Sequence, residues 1–277
     1  MAQGRSATNG PHQGAWVDDL QGKDWFYHFQ DKGAYGRIVH LQPMRWREGW
    51  PVIGIDREGK GTGEPVLVHA KPAGTDHGIQ APPAGDEFNA GRLGLQWQWN
   101  ANSVAGWHAL DARQGWLRLP AQPAPLDGSV RDVPSVLTQK FPAPAFTVDT
   151  RIEIRGDVTR AGLVVLGIKY AWLGVRQAKE GAQLVLATCE QPAAACQEQV
   201  QVMQKVDRQP LYLRAQVSDG AVVRFAYSVD GKNYTLAGPP FTASVGRWVG
   251  AQVGLVATRA PGTAPAHLDI DYFRVGR

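Results

Sequence analysis

Hydrophobic positions near the start of the chain come in short bursts rather than at helical spacing. Ala15–Val17, Trp25–Phe29, Gly36–Leu41 and Trp50–Ile53 are apolar runs separated by Leu20-Gln21-Gly22-Lys23, Asp31-Lys32-Gly33 and Arg47-Glu48-Gly49. Gly, Asp and Lys between short apolar runs are turn chemistry, so four antiparallel strands are predicted. Side chains alternate faces along a strand, which sets Trp25, Tyr27 and Phe29 on one face and Phe26 and His28 on the other. Large groups on both faces describe a sheet covered on both sides. Such a unit is one blade of a propeller, an architecture that needs at least about four blades.

Beyond this blade the pattern changes twice. Asp56–Gly63 is Gly-rich and charged, and Lys71–Gly85 contains Pro72, Pro82 and Pro83, the composition of a linker. We therefore expect a terminal blade over 1–70, a linker over 71–85 and a second domain over 86–277. In that domain strands are predicted at Leu93–Trp99, Trp116–Leu119, Thr147–Ile154, Gly162–Ile168, Ala171–Arg176, Gln183–Thr188 and Val200–Val206. They continue at Leu211–Ser218, Val222–Ser228, Tyr234–Leu236, Val249–Thr258 and His267–Val275. Val148, Ile152 and Ile154 alternate with Thr147, Asp149 and Arg151, as they do in a half-buried strand, and Ser218-Asp219-Gly220 and Asp230-Gly231 read as tight turns. No convincing helix is present. The fold class expected is all-β: a partial propeller blade followed by a two-sheet sandwich whose size, about 190 residues, suffices for its own core.

Composition narrows the function. Lys and Arg exceed Asp and Glu by four but form no run, so no nucleic-acid footprint is expected. No stretch reaches the ~18 apolar residues of a membrane helix, and no membrane partner is expected. Met1–Asn9 is polar and lacks the apolar core of a signal peptide, pointing to a cytoplasmic protein. Cys189 and Cys196 are close enough for a loop disulfide, yet without an export signal two free thiols are the expectation. The chain has ten tryptophans, which either fill cores or stack on sugar rings. Trp97 and Trp99 share a face with Leu93 and Leu95 in the predicted strand, which favours core; Trp107 is a third candidate platform.

The runs Asn9-Gly10-Pro11-His12-Gln13-Gly14-Ala15-Trp16-Val17-Asp18, Trp25-Phe26-Tyr27-His28-Phe29-Gln30-Asp31 and Gly33-Ala34-Tyr35-Gly36-Arg37-Ile38-Val39-His40-Leu41-Gln42-Pro43 resemble the last propeller blade of glycoside hydrolase family 43. The resemblance continues through Arg45-Trp46 and Gly49-Trp50-Pro51-Val52-Ile53-Gly54. Asp86-Glu87-Phe88, Leu95-Gln96-Trp97-Gln98-Trp99-Asn100, Trp107, Gly115-Trp116-Leu117-Arg118-Leu119 and Asp269-Ile270-Asp271-Tyr272-Phe273-Arg274-Val275 are similar to that family's concanavalin A-like (jelly-roll) sandwich. The resemblance implies a five-bladed β-xylosidase or α-arabinofuranosidase acting on xylo- or arabino-oligosaccharides, with inversion carried out by an Asp base, a Glu acid and a tuning Asp. Inverting carboxyls stand about 6.5–9.5 Å apart, leaving room for water. The family's three acids sit on earlier blades, and no motif in this sequence matches them. No catalytic residue is assigned, and the chain alone is expected to be inactive.

Binding residues do carry over. The resemblance places His12 at a channel-facing histidine and Arg37 at a substrate-contacting arginine, with Gln13 on the same loop; an arginine fork suits vicinal hydroxyls. Their plain alternatives are a capping histidine and a solvated arginine. Trp172, near Tyr170, is a candidate for reaching toward the propeller, because the family's sandwich helps wall the active site. From the residues themselves, Asp86 and Glu87 before the first strand and Asp269 and Asp271 in the last form a candidate calcium site, against the alternative of charges guarding strand edges. No cofactor is required. Two further roles stay open: the sandwich as a carbohydrate-binding module, and self-association through the orphan blade.

Overall fold

The computed structural model describes residues 1, 6–8, 13–191, 196–206 and 210–276. It divides into two compact units, Met1–Ala81 and Pro82–Arg277. The division falls inside the proline-bearing stretch expected to be a linker.

In the first unit β1 (Gly14–Asp18), β2 (Asp24–Asp31), β3 (Arg37–Arg47) and β4 (Trp50–Ile53) form one antiparallel sheet in chain order. Turns follow the predicted punctuation, with Gly22, Gly33 and Gly49 at positive φ. Gly14 faces His28, and a Cβ there would lie 2.1 Å from the Tyr27 carbonyl oxygen, so only glycine lets β1 approach β2 this closely. The segment after β4 folds back on the sheet. Gln42 pairs with Val66 as a strand would, accepting from its N–H (2.8 Å) and donating to its carbonyl (3.3 Å). Trp25 packs edge-on against His69. Much apolar surface remains bare: β1 is exposed throughout, and Trp16, Trp46, Trp50 and Val39 are exposed.

The second unit contains β5 (Gln98–Trp99), β6 (Leu117–Pro120), β7 (Gln122–Pro123), β8 (Leu137–Lys140), β9 (Phe146–Arg155), β10 (Arg160–Leu166), β11 (Tyr170–Ala178) and β12 (Gly181–Cys189). It continues with β13 (Gln199–Lys205), β14 (Leu211–Ser218), β15 (Val222–Ser228), β16 (Thr235–Thr242), β17 (Gln252–Arg259) and β18 (His267–Gly276). One sheet runs β13-β12-β11-β10-β17-β8-β5, with β7 added beside β17; the other runs β16-β15-β14-β9-β18-β6. This is the expected sandwich. The predicted strand at Leu93–Trp99 shrinks to two residues, Leu95 being fully exposed. Consequently Trp97 and Trp99 do not share a core face with leucines: Trp97 packs on Phe88 and Phe273, and Trp99 on Trp107 and His108.

The two sheets differ in kind. In the smaller sheet β9 buries Phe146, Val148, Thr150, Ile152 and Ile154 while the alternate residues remain partly accessible. In the larger sheet every residue of β10 is buried, and β11 and β17 are nearly so. Leu163, Leu173 and Leu255 lie side by side across three strands on the face toward β9 and β14. On the opposite face Val164, Leu166, Tyr170, Trp172, Val185 and Val256 form a second core with Ala124, Val130, Val133 and Val136, which belong to a covering segment. Cys189, Cys196 and Val200 close its other side. Both faces of its central strands are therefore covered.

Candidate functional site

The blade holds two of its three expected binding residues within the described structure. His12 lies outside the described residues. Gln13 is exposed just before β1, and Arg37 opens β3; in an antiparallel sheet both stand at the same end, with the end of β2 between them. The Arg37 guanidinium sits 4.6 Å above the Phe29 ring, a cation–π contact that fixes its stem.

Blade carboxylates serve the fold. Asp19 accepts from the N–H groups of Gln21 (2.9 Å), Lys23 (3.0 Å) and Ala73 (3.1 Å) and from the Trp25 indole (3.1 Å). These bonds, led by Ala73, hold its pKa down at about 2, unsuitable for a group that must give a proton near neutrality. Asp24 accepts from Trp16 (2.6 Å), Asp31 caps Gly33 (3.0 Å), and Asp56 takes the N–H groups of Lys60 and Gly61. Asp19 does more than the solvated turn residue its sequence context implies: it fastens the segment around Ala73 to the sheet.

The four carboxylates expected to gather round calcium are not gathered. Asp86 is spent on the Phe88 N–H and the Trp97 indole (both 2.8 Å). Glu87 grips Arg274 (2.7 and 2.9 Å), Asp269 grips its cross-strand neighbour Arg118 (2.7 and 2.8 Å), and Asp271 pairs with Arg151 (2.6 Å). Calcium needs about six to eight oxygens free of competing cations; here arginine forks hold three of the four carboxylates. Among the described residues no cluster of three or more metal-type side chains exists, and the donor set does not fit the ion.

Trp172 does not reach outward. It is 1% exposed in the second core, its indole donating to Glu198 Oε1 (3.3 Å). Tyr170 is equally buried and donates to the same oxygen (3.0 Å); burial first, then the Glu198 charge, pushes its pKa up. The sequence reading failed here because the covering segment is not sequence-adjacent to β11. The free-thiol expectation also fails: Cys189 and Cys196 form a disulfide, their Cα atoms 5.9 Å apart, within the usual span.

Sequence reasoning passed over Trp248. It lies one residue before the strand predicted at Val249–Thr258, whereas β17 begins at Gln252 and Trp248 sits in the preceding loop. It is 74% exposed and has φ of 64°, a conformation bulky residues avoid. Its loop is pinned: Ile168 N–H donates to Val245 O (2.8 Å), Gly246 N–H to Val249 O (2.9 Å), and Lys169 N–H to Ser244 Oγ (2.8 Å). Ile168, Val245 and Val249 are also exposed, giving Trp248 an apolar surround. The flanking Gly246 and Gly250 were the available signal.

Residues 85–276 match the family described as the β-xylosidase C-terminal concanavalin A-like domain, and the chain belongs to that family, within glycoside hydrolase family 43. A putative β-xylosidase from Xylanibacter ruminicola is 38% identical over 260 residues, covering 93% of this chain and 46% of the relative. A β-xylosidase from Formosa agariphila is 29% identical over 286 residues, covering 94% and 47%. The chain thus spans about half the length of these relatives. Among solved structures, a bifunctional GH43-CE protein of Bacteroides eggerthii superposes with TM-score 0.76 at 28% identity, covering 96% of this chain and 34% of that one. The xylan β-1,4-xylosidase of Bacillus halodurans superposes with TM-score 0.81 at 22% identity over 99% and 54%, a likeness of fold.

Proposed function

We propose that this chain is the non-catalytic half of a xylan-directed glycosidase, supplying the closing blade and the sandwich to a propeller whose catalytic acids lie in other residues. The observation that carries this reading is the lone blade, a four-stranded sheet exposing Trp16, Trp46 and Trp50, joined to a sandwich of the β-xylosidase family. Propeller blades cover one another, and bare aromatic strands are what an unfilled position in such a ring would display. Support also comes from Asp19, Asp24, Asp31 and Asp56, which spend their oxygens on backbone and indole N–H groups. In the assembled enzyme Gln13 and Arg37 bind the hydroxyls of a xylo- or arabino-oligosaccharide. The Cys189–Cys196 bridge favours an oxidising compartment over the cytoplasmic expectation.

The test is hydrolysis of p-nitrophenyl β-xyloside and α-arabinofuranoside, first by this chain alone and then after co-expression with the N-terminal half of the Xylanibacter ruminicola relative. No turnover alone and turnover after complementation is expected. Turnover by the chain alone would show that the acids are here after all.

A further inference from the structure

A cavity of about 240 Å³ opens on the covered face of the larger sheet, lined by Leu126, Arg160, Trp172, Arg176, Gln177 and Glu198 among others. Its walls are built rather than incidental. Arg160, nearly fully buried, donates to Glu198 Oε1 (2.9 Å) and reaches the carbonyls of Pro125 (3.4 Å), Leu126 (3.0 Å) and Gly128 (2.7 Å), so one guanidinium locks the covering segment down. Glu198 is held from the other side by Tyr170 and Trp172, and the chain leading to it is stapled by the disulfide two residues earlier.

All three donors converge on Oε1. The second carboxylate oxygen of Glu198, which lines the cavity, has no hydrogen bond among the described residues, and the side chain is 13% exposed. Arg176 has no carboxylate partner among the described residues: one Nη makes a long bond to Gln183 (3.4 Å) and its Nε–H is buried without an acceptor. The pocket therefore combines one vacant acceptor, a guanidinium short of partners, and apolar edges from Leu126 and Trp172. A hydrocarbon would leave the Arg176 donors and the second Glu198 oxygen without partners. A ring bearing hydroxyls, each able to donate and accept, with C–H faces between them, matches every group. The volume lies below the ~300 Å³ at which drug-sized pockets begin, which fits a single small ring.

We propose that this pocket is a sugar-binding site for one neutral pentose unit, with Glu198 accepting from a hydroxyl and Arg176 donating to its neighbour. The choice of sugar rests on the xylan-directed reading above. A ligand of about ten non-hydrogen atoms binding through a few hydrogen bonds should have a dissociation constant on the order of millimolar.

The experiment is titration of the ¹⁵N-labelled chain with D-xylose, L-arabinose and D-glucuronate, following the Trp172 indole N–H resonance, identified by its loss in Trp172→Phe. A neutral pentose is expected to move that resonance saturably, and Arg176→Met should weaken binding roughly tenfold while leaving the remaining spectrum in place. Absence of movement, or equal movement in Arg176→Met, overturns the site. Movement by glucuronate alone overturns the neutral assignment in favour of an anion site. Because the readout needs no hydrolysis, a saturable shift beside a complemented enzyme that lacks turnover would sink only the glycosidase reading; turnover with an unmoved indole would sink only this one.

Discussion

The blade and the sandwich are both built from short antiparallel strands, yet they finish their surfaces differently. The sandwich covers its larger sheet on both sides with its own chain, so that β10 is buried along its whole length. The blade covers only the strip near Trp25 and Gln42, using the return segment of Val66–Ala73, and leaves all of β1 in water. The difference teaches where each unit's stability comes from. A sheet wrapped in its own connections carries its own driving force, whereas a lone four-stranded sheet with bare aromatics draws part of its driving force from outside.

The contrast can be broken most forcefully at the second core. Trp172→Ala removes a fully buried indole and should destabilise the sandwich by about 3–5 kcal/mol, seen as an early transition in thermal unfolding with the blade's transition unmoved. If both transitions move together, the units are not independent. Next comes the disulfide: Cys189→Ser with Cys196→Ser closes no loop in the unfolded chain and should cost about 2–3 kcal/mol, again confined to the sandwich. Reduction with dithiothreitol should reproduce it.

Smaller effects sharpen the comparison on the blade side. Asp19→Ala removes the acceptor for four donors and releases the Ala73 segment, so trypsin should cut at Lys71 roughly several-fold faster while the sandwich stays intact. The smallest effect is a titration. His40 stacks on His28 across β2 and β3, and burial first, then the neighbouring His28, lowers its pKa below 6.5. The unfolded chain therefore takes up the proton first as pH falls. The blade keeps this contribution above pH 6.5 and loses it progressively below, a drop in melting temperature of roughly 1–3 °C that His40→Gln should flatten.

Much of this architecture was legible in the residues. Period-two alternation over Thr147–Ile154 located β9 and its buried face, and Asp31-Lys32-Gly33 located the β2–β3 turn, because local chemistry decides both. The errors share one cause: contacts distant in sequence. Trp172 and Tyr170 looked outward-facing because nothing nearby in sequence announces the cover from Ala124 to Val136. Asp269 looked like a cation ligand until β6 placed Arg118 directly opposite it.

Asp86 and Phe273 exchange both backbone hydrogen bonds (2.7 and 2.8 Å), so the sandwich begins and finishes at one spot. A module whose two ends meet can be spliced into a host loop or circularly permuted with a short joint. Tension applied at those ends would load that pair one bond after the other, like a zip, and the sandwich should yield there before either sheet shears.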